Sequence, residues 1–194
     1  MSLPTYQTTV TQKTNDLPVT LAEAKDHLRI LGGDLDVEVF AALEAATEYC
    51  ESVSGRSLRV SHTLAQKYAS WPCDPVRFDR HPVKAISSIT YYDADGASQT
   101  LSTSKYRLQP STNAAAALEW DDTFDSPSLD DRDDAVTITY TAGYTDIESV
   151  PAMAKYAIKL KLAELFGDLD ERRIDATQRA CESLLHQIDW GRYR

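Results

Sequence analysis

The segment Leu35–Gly55 limits the fold of this chain more than any other, because its residue spacing is that of a long amphipathic helix. Apolar side chains recur at steps of three or four residues and share one face, which consists of Val39, Leu43, Ala46, Cys50 and Val53. Phe40 lies outside this face, on the side of Glu44 and Glu51. An aromatic side chain in that position needs a neighbour of its own, either a second helix of the same chain or another copy.

A shorter helix is predicted just before this segment. Thr20 is followed three residues later by Glu23, which is the pattern of a capping box at a helix start. The apolar stripe of this helix consists of Leu21, Ala24, Leu28 and Leu31. Gly32 and Gly33 are expected to end it. Because the connection between the two helices is so short, we expect them to lie antiparallel.

The segment Pro151–Phe166 predicts a helix that is apolar on two sides. One face consists of Met153, Tyr156, Ala157, Leu160 and Ala163, and the other consists of Ala154, Ile158, Leu162 and Leu165. Such a helix is enclosed on both sides, within its own fold or between subunits. Periodicity does not decide which face points inward. We assign a predicted subunit interface to Phe40, Ala154, Ile158, Leu162 and Leu165.

Between these helices the hydrophobic period changes to that of β-strands. Apolar residues alternate with polar ones from Leu58 to Leu64, so Arg59 is expected on the polar side of a strand. Asp95 and Gly96 indicate a hairpin turn, and Val136–Tyr140 is the clearest strand in the sequence. A last helix is predicted around Ile174–Ile188.

The sequence therefore predicts an α+β fold, a mainly α-helical bundle with an inserted antiparallel β module. The expected organisation runs in four parts: an extended N-terminal arm at 1–18, a helical pair at 19–55, a β-rich module at 56–144, and C-terminal helices at 145–194 that pack on 19–55. We favour a loose tail for the arm over a strand added to a neighbour.

An acidic loop at 121–134 interrupts the β module, with seven aspartates against one arginine. Mutual repulsion is expected to keep this loop extended and solvated. Six of its carboxylates are candidate contacts to a partner or to DNA in a channel: Asp121, Asp122, Asp130, Asp131, Asp133 and Asp134. The alternative is weak binding of Mg²⁺ or Ca²⁺, which clustered carboxylates can coordinate.

Charge and motifs argue against most catalytic and nucleic-acid-binding classes. A formal net charge of -10 disfavours tight binding to phosphates but permits passive contact with DNA. No catalytic or phosphate-binding motif occurs, and no cofactor, metal or membrane span is expected. Cys50, Cys73 and Cys181 are far apart in sequence and are expected as reduced thiols in the cytosol.

Several segments, in this order, give the chain a family resemblance. They are Pro18–Ile30, Tyr49–Leu58, His81–Leu101, Tyr106–Leu108, Val136–Tyr144, Val150–Phe166 and Leu184–Arg194. This set resembles the phage head–tail connector proteins of the gp6-like and phiE125 gp8-like kind. The resemblance covers nearly the whole chain from Leu17 onward, although the acidic loop is longer and more acidic than the family pattern.

The resemblance implies a structural virion protein without catalysis or cofactor. Such connectors form a homo-oligomeric ring, a dodecamer on the portal protein, that extends the DNA channel and receives a tail or head-closure protein. The chain would lie at the head–tail junction of the virion, and in the host cytoplasm during assembly. Arg192 and Arg194 would then meet an acidic portal surface or remain a solvated tail. The alternatives are a head-closure or tail-completion protein and, behind these, a metal-dependent hydrolase using the acidic loop.

Overall fold

The structure is a computed structural model and describes residues 6–14, 16–109, 116–166 and 171–188. The chain divides into a helical unit, residues 14–60 and 144–194, and a β unit, residues 1–13 and 61–143. Helices and antiparallel sheets occupy separate units, so the predicted α+β class is confirmed. Every helix in the described ranges is too short or too polar to span a lipid bilayer.

In the described residues, four α-helices build the helical unit. They are α1 (Leu21–Leu28), α2 (Asp36–Ser54), α3 (Ala152–Phe166) and α4 (Glu171–Ile188). The long helix predicted at Leu35–Gly55 is confirmed, and Val39, Leu43, Ala46 and Cys50 on its apolar face are fully buried. They meet apolar side chains of the other three helices in one core, which includes Ala24, Ala157, Cys181 and Leu185.

The start of α1 follows its sequence signal and its end does not. The Thr20 amide donates to Glu23 Oε2 over 2.9 Å, and the Glu23 amide donates to Thr20 Oγ1 over 3.2 Å, which confirms the capping box. The helix ends at Leu28, ahead of the predicted glycine stop, because Arg29 takes the left-handed conformation with φ of 58°. Leu31 consequently leaves the predicted stripe and is 96% exposed.

The capping carboxylate gives stability a defined pH dependence. Its hydrogen bond from the Thr20 amide holds the pKa of Glu23 below its usual 4.5. Because the folded state favours the carboxylate, the stabilisation is present above the unfolded pKa and is lost as the pH falls through the folded pKa. Glu23→Gln is therefore expected to lower the thermal unfolding midpoint at pH 7 and to have little effect at strongly acidic pH. Exposed Glu148→Gln is the control, and an equal effect of Glu23→Gln at both pH values would contradict the assignment.

The β unit contains two antiparallel sheets. The strands are β1 (Tyr6–Lys13), β2 (His62–Tyr68), β3 (Val76–Arg77), β4 (Val83–Tyr92), β5 (Ser98–Thr100), β6 (Tyr106–Gln109), β7 (Ala117–Trp120) and β8 (Val136–Ala142). The larger sheet has the order β1-β2-β8-β4-β5, and the smaller one has the order β3-β7-β6. Burial alternates along the central strand β8, with Val136, Ile138 and Tyr140 fully enclosed.

Two local expectations in the β unit have different outcomes. The hairpin at Asp95–Gly96 is confirmed, because β4 and β5 pair across it and Gly96 has a φ of 77°. The loose tail is wrong for Tyr6–Lys13, which pairs antiparallel with β2 and forms an edge of the larger sheet. The strand expected from Leu58 begins only at His62. Residues 14–60, including Leu58, belong to the helical unit.

Candidate assembly surfaces

The predicted subunit interface on α3 is wrong for three of its residues. Ala154, Ile158 and Leu162 are 0% exposed and belong to the core of the helical unit, so they are not accessible to a second copy. The physical reason is that the long helix α2 and the last helix α4 already cover this side of α3. Leu165 and Phe40 remain accessible, with 48% and 37% of their surfaces exposed.

The accessible side of α3 includes Met153 and Tyr156, which belong to the other of the two predicted apolar faces, whereas Ala157 of that face is fully buried. Met153 is 41% exposed and Tyr156 is 54% exposed. Helical spacing places Tyr156 near the middle of this side, with Met153 at one margin and Lys155 at the other. Lys159 lies beside Tyr156, and its Nζ is 3.7 Å from Glu23 Oε1. We name this surface, which consists of Ala152, Met153, Lys155, Tyr156 and Lys159, the α3 face.

A second accessible apolar surface lies at the start of α2. Val37 is 79% exposed, and Ala41, one turn later, is also exposed. Phe40 lies on one side of them, and Glu38 and Glu44 complete the surface. We name these residues, Val37, Glu38, Phe40, Ala41 and Glu44, the α2 face. The helix α2 contains five acidic residues and no lysine or arginine, so this face is both apolar and negatively charged.

The two faces have opposite charge and point in different directions. The helix α3 contains three lysines and one glutamate, and of the lysines only Lys161 turns toward the core, where its Nζ lies 4.2 Å from the centre of the Tyr49 ring. Lys155 and Lys159 therefore give the α3 face a positive charge, of which Glu23 offsets the part carried by Lys159. Because α2 and α3 bury their other sides in one shared core, their exposed faces point away from each other.

Arg59 is the centre of the main electrostatic cluster of the helical unit, which the sequence pattern does not predict. Its side chain is only 1% exposed, although an exposed position on a strand is predicted from the alternation. The guanidinium lies 3.6, 3.7 and 4.0 Å from carboxylate oxygens of Glu44, Glu48 and Glu51. The available signal is the spacing of these three acids along one side of a helix without a basic residue.

Glu51 also orders the chain that follows α2. Its Oε1 accepts hydrogen bonds from the amides of Leu58 and Arg59, over 2.7 and 3.2 Å. Arg59 Nη1 donates to the Thr14 carbonyl over 3.2 Å. These contacts join the second half of α2 to two separate segments of the helical unit, so the cluster is structural.

The acidic loop is anchored to aromatic side chains through Phe124, so it is not freely extended, although Asp121, Asp122, Asp125, Asp131 and Asp133 are exposed to solvent. Phe124 stacks on Trp120 with ring centres 4.6 Å apart and meets Trp71 edge-on at 5.0 Å. Trp71 Nε1 donates to the Pro127 carbonyl over 2.9 Å. Burial of these rings outweighs the repulsion between aspartates that the sequence pattern emphasises.

The aspartates of the loop occupy different environments. Arg132 Nε donates to Asp134 Oδ1 over 2.5 Å, and this hydrogen bond holds the pKa of Asp134 below its usual range. The hydroxyl and amide of Thr123 do the same for the pKa of Asp121. The amide of Asp130 donates to the Tyr92 carbonyl over 3.1 Å. The remaining predicted contact residues, Asp122, Asp131 and Asp133, are exposed.

Within the described part of the chain, no three histidine, cysteine or carboxylate side chains are grouped as a metal ion would require. The carboxylates of Asp121 and Asp134 instead accept hydrogen bonds from the side chains of Thr123 and Arg132. Arg192 and Arg194, the remaining predicted contact residues, lie outside the described residues.

Comparison with solved structures finds the same fold in chains of gene transfer agent (GTA) particles. A chain of "Virion of native gene transfer agent (GTA) particle" matches with a TM-score of 0.75 and 21% identity over 96% of both chains. A chain of "Neck of empty GTA particle computed with C6 symmetry" matches with a TM-score of 0.78 and 20% identity over 97% of both chains. A chain of "Neck of native GTA particle computed with C12 symmetry" matches with a TM-score of 0.71 and 19% identity, again over 97% of both.

These likenesses establish the fold of the chain over nearly its whole length. No protein-family model matches the sequence. No curated protein matches it either.

Proposed function

We propose that this chain is a structural component of the neck of a phage-like particle, where copies of it form a ring between head and tail. The observation that supports this most strongly is the fold, shared over 97% of both chains with a protein in the neck of a GTA particle. Those necks are described with C6 and C12 symmetry, which fits a ring of identical subunits. The role requires neither catalysis nor a cofactor.

The accessible surfaces of the helical unit support assembly. A subunit in a closed ring uses two different patches, one for each neighbour. The α2 face and the α3 face are two such patches, each with exposed apolar side chains. Large exposed apolar side chains indicate contact with another protein when they are grouped in this way.

We further propose, by analogy with the C12 neck, that twelve copies form a ring on the portal protein. A tail or head-closure protein would bind on the other side of this ring. DNA would pass through the ring without specific binding, since a net charge of -10 repels the phosphate backbone. The exposed Asp122, Asp131 and Asp133 would contribute to this repulsion where the loop borders the channel. The virion neck is then the site of action.

Electron microscopy of the purified chain tests the proposal directly. Negatively stained samples at high protein concentration, with and without the portal protein of the same particle, are expected to show rings, and mass photometry is expected to give their copy number. Adding the portal is expected to increase the number of rings. Absence of rings in both samples, with the chain monomeric throughout, would refute the assembly role.

A pull-down separates this role from that of a head-closure or tail-completion protein. Capture of the chain by the portal protein supports the connector role. Capture by the tail-tube protein alone would move the chain to the tail side of the junction.

A further inference from the structure

We infer that the ring contact is made between the α2 face of one copy and the α3 face of the next. This inference rests on the proposed ring and adds the identity of the two contacting surfaces. A ring of identical subunits requires a head-to-tail contact, in which two different patches of the same chain meet. The helical unit presents two such patches on helices whose exposed sides point away from each other.

Both faces expose large apolar side chains to solvent. Val37 on the α2 face is 79% exposed, and Tyr156 on the α3 face is 54% exposed. Neighbouring apolar side chains extend each patch: Phe40 on the first is 37% exposed, and Met153 on the second is 41% exposed. Contact between the patches would remove all four from water, and burial of aromatic side chains such as Phe40 and Tyr156 dominates the energy of many interfaces.

Charge selects the pairing. The α2 face has Glu38 and Glu44 and belongs to a helix without basic residues. Glu44 Oε1 lies 3.6 Å from Arg59, but 42% of the Glu44 side chain is exposed on this face. The α3 face has Lys155 and Lys159 beside Tyr156. Contact between unlike faces brings carboxylates to ammonium groups, whereas contact between like faces brings equal charges together. The second arrangement costs free energy, so two-fold pairing of α2 with α2, or of α3 with α3, is disfavoured.

The occupant of each face is therefore a second copy of this chain. Each copy offers one α2 face and one α3 face. An open chain of copies therefore always has a free α2 face at one end and a free α3 face at the other. Growth stops only when the last copy reaches the first, as it does in a closed ring.

Mixing two variants tests this arrangement. Val37→Lys disables the α2 face, because its ammonium group would meet Lys155 and Lys159, and leaves the α3 face intact. Tyr156→Asp does the opposite, because its carboxylate would meet the acidic α2 face. Each variant alone is expected to lose ring formation at concentrations where the unchanged chain forms rings. A one-to-one mixture is expected to form a heterodimer and nothing larger, because only one intact pair of faces remains. Sedimentation velocity, with a different fluorescent label on each variant, measures this directly.

The outcomes separate the inference from the proposed function. If the unchanged chain forms rings but the mixture stays monomeric, or if either variant alone still forms rings or a homodimer, the assigned faces are wrong while the ring role stands. If the unchanged chain forms no ring with or without portal, the proposed function itself fails. Ala176→Asp on the exposed side of α4 is the matched control and is expected to assemble normally.

Folding of the variants is checked by circular dichroism and thermal unfolding. Both changed positions are exposed, so a folded chain is expected in each case. Should either variant unfold, Ala41→Lys and Ala152→Asp place the corresponding repelling charges at exposed positions on the same two faces. The same heterodimer is expected from this second pair, and its absence would overturn the inference equally.

Discussion

Replacing Leu162 by alanine is expected to lower the free energy of unfolding by about 2–5 kcal/mol. The side chain is 0% exposed and lies in the core of the helical unit. Truncation removes buried apolar surface and leaves a cavity that neighbouring side chains fill only in part. Urea denaturation followed by circular dichroism measures the change, and Leu162→Glu is expected to unfold the helical unit altogether.

Tyr156→Ala on the same helix is the matched control for this experiment. Tyr156 is 54% exposed, and its removal is expected to change stability by about 0.5 kcal/mol or less, as is usual for surface substitutions. Assembly should respond in the opposite order, with Tyr156→Ala weakening the ring and Leu162→Ala acting only through stability. If Leu162→Ala were no more destabilising than Tyr156→Ala, Leu162 would have to be assigned to the subunit interface, as the sequence predicts.

The two apolar sides predicted for α3 show why sequence periodicity does not decide which side is buried. Each face carries several apolar residues at helical spacing, so the pattern predicts two apolar sides without ranking them. Charged residues do not rank them either. Lys161 lies next to the buried side, where its Nζ interacts with the Tyr49 ring and with Glu164, while Met153 and Tyr156 are exposed. Only the position of α2 and α4 decides which side is covered.

Elements that depend on nearby residues follow the sequence closely. The capping box of Thr20 and Glu23 and the hairpin at Asp95–Gly96 are set by residues within one turn of each other, and both are confirmed. The extent of α2 and its buried face are confirmed as well, because a helix of that length with one apolar side has few alternatives.

Elements that depend on residues far away in the sequence are not predicted well from their own segment. The strand Tyr6–Lys13 is rich in threonine and glutamine and has no core of its own, but it pairs with His62–Tyr68 far along the chain. The acidic loop is held by Trp71, which precedes it by about fifty residues and donates to Pro127. Neither partner can be identified from the composition of the segment itself. The loose tail is therefore an incorrect prediction for Tyr6–Lys13, and the aromatic anchor of the loop is not predicted, although most of its aspartates are exposed.

Arg59 illustrates the same limit, and it leads to the second large expected effect. Alternation places this residue on the polar side of a strand, whereas it is buried between the second half of α2 and Thr14. Replacing Arg59 by methionine is expected to lower the free energy of unfolding by about 3–5 kcal/mol, because a buried negative charge, although still hydrogen-bonded to backbone amides, loses the guanidinium beside it. That charge is on Glu51, whose side chain is 8% exposed.

Two further variants identify the cause of the loss. Arg107→Met removes an arginine that is 74% exposed and lies 3.6 Å from Glu119, and is expected to cost about 1 kcal/mol or less. Adding Glu51→Gln to Arg59→Met removes the buried negative charge of Glu51. The glutamine keeps an oxygen that accepts the hydrogen bond from the Leu58 amide. The double variant is therefore expected to regain part of the stability lost in the single one. If the double variant is instead the less stable of the two, Arg59 acts through the packing of its side chain, and compensation of the α2 carboxylates is not what holds this part of the helical unit together.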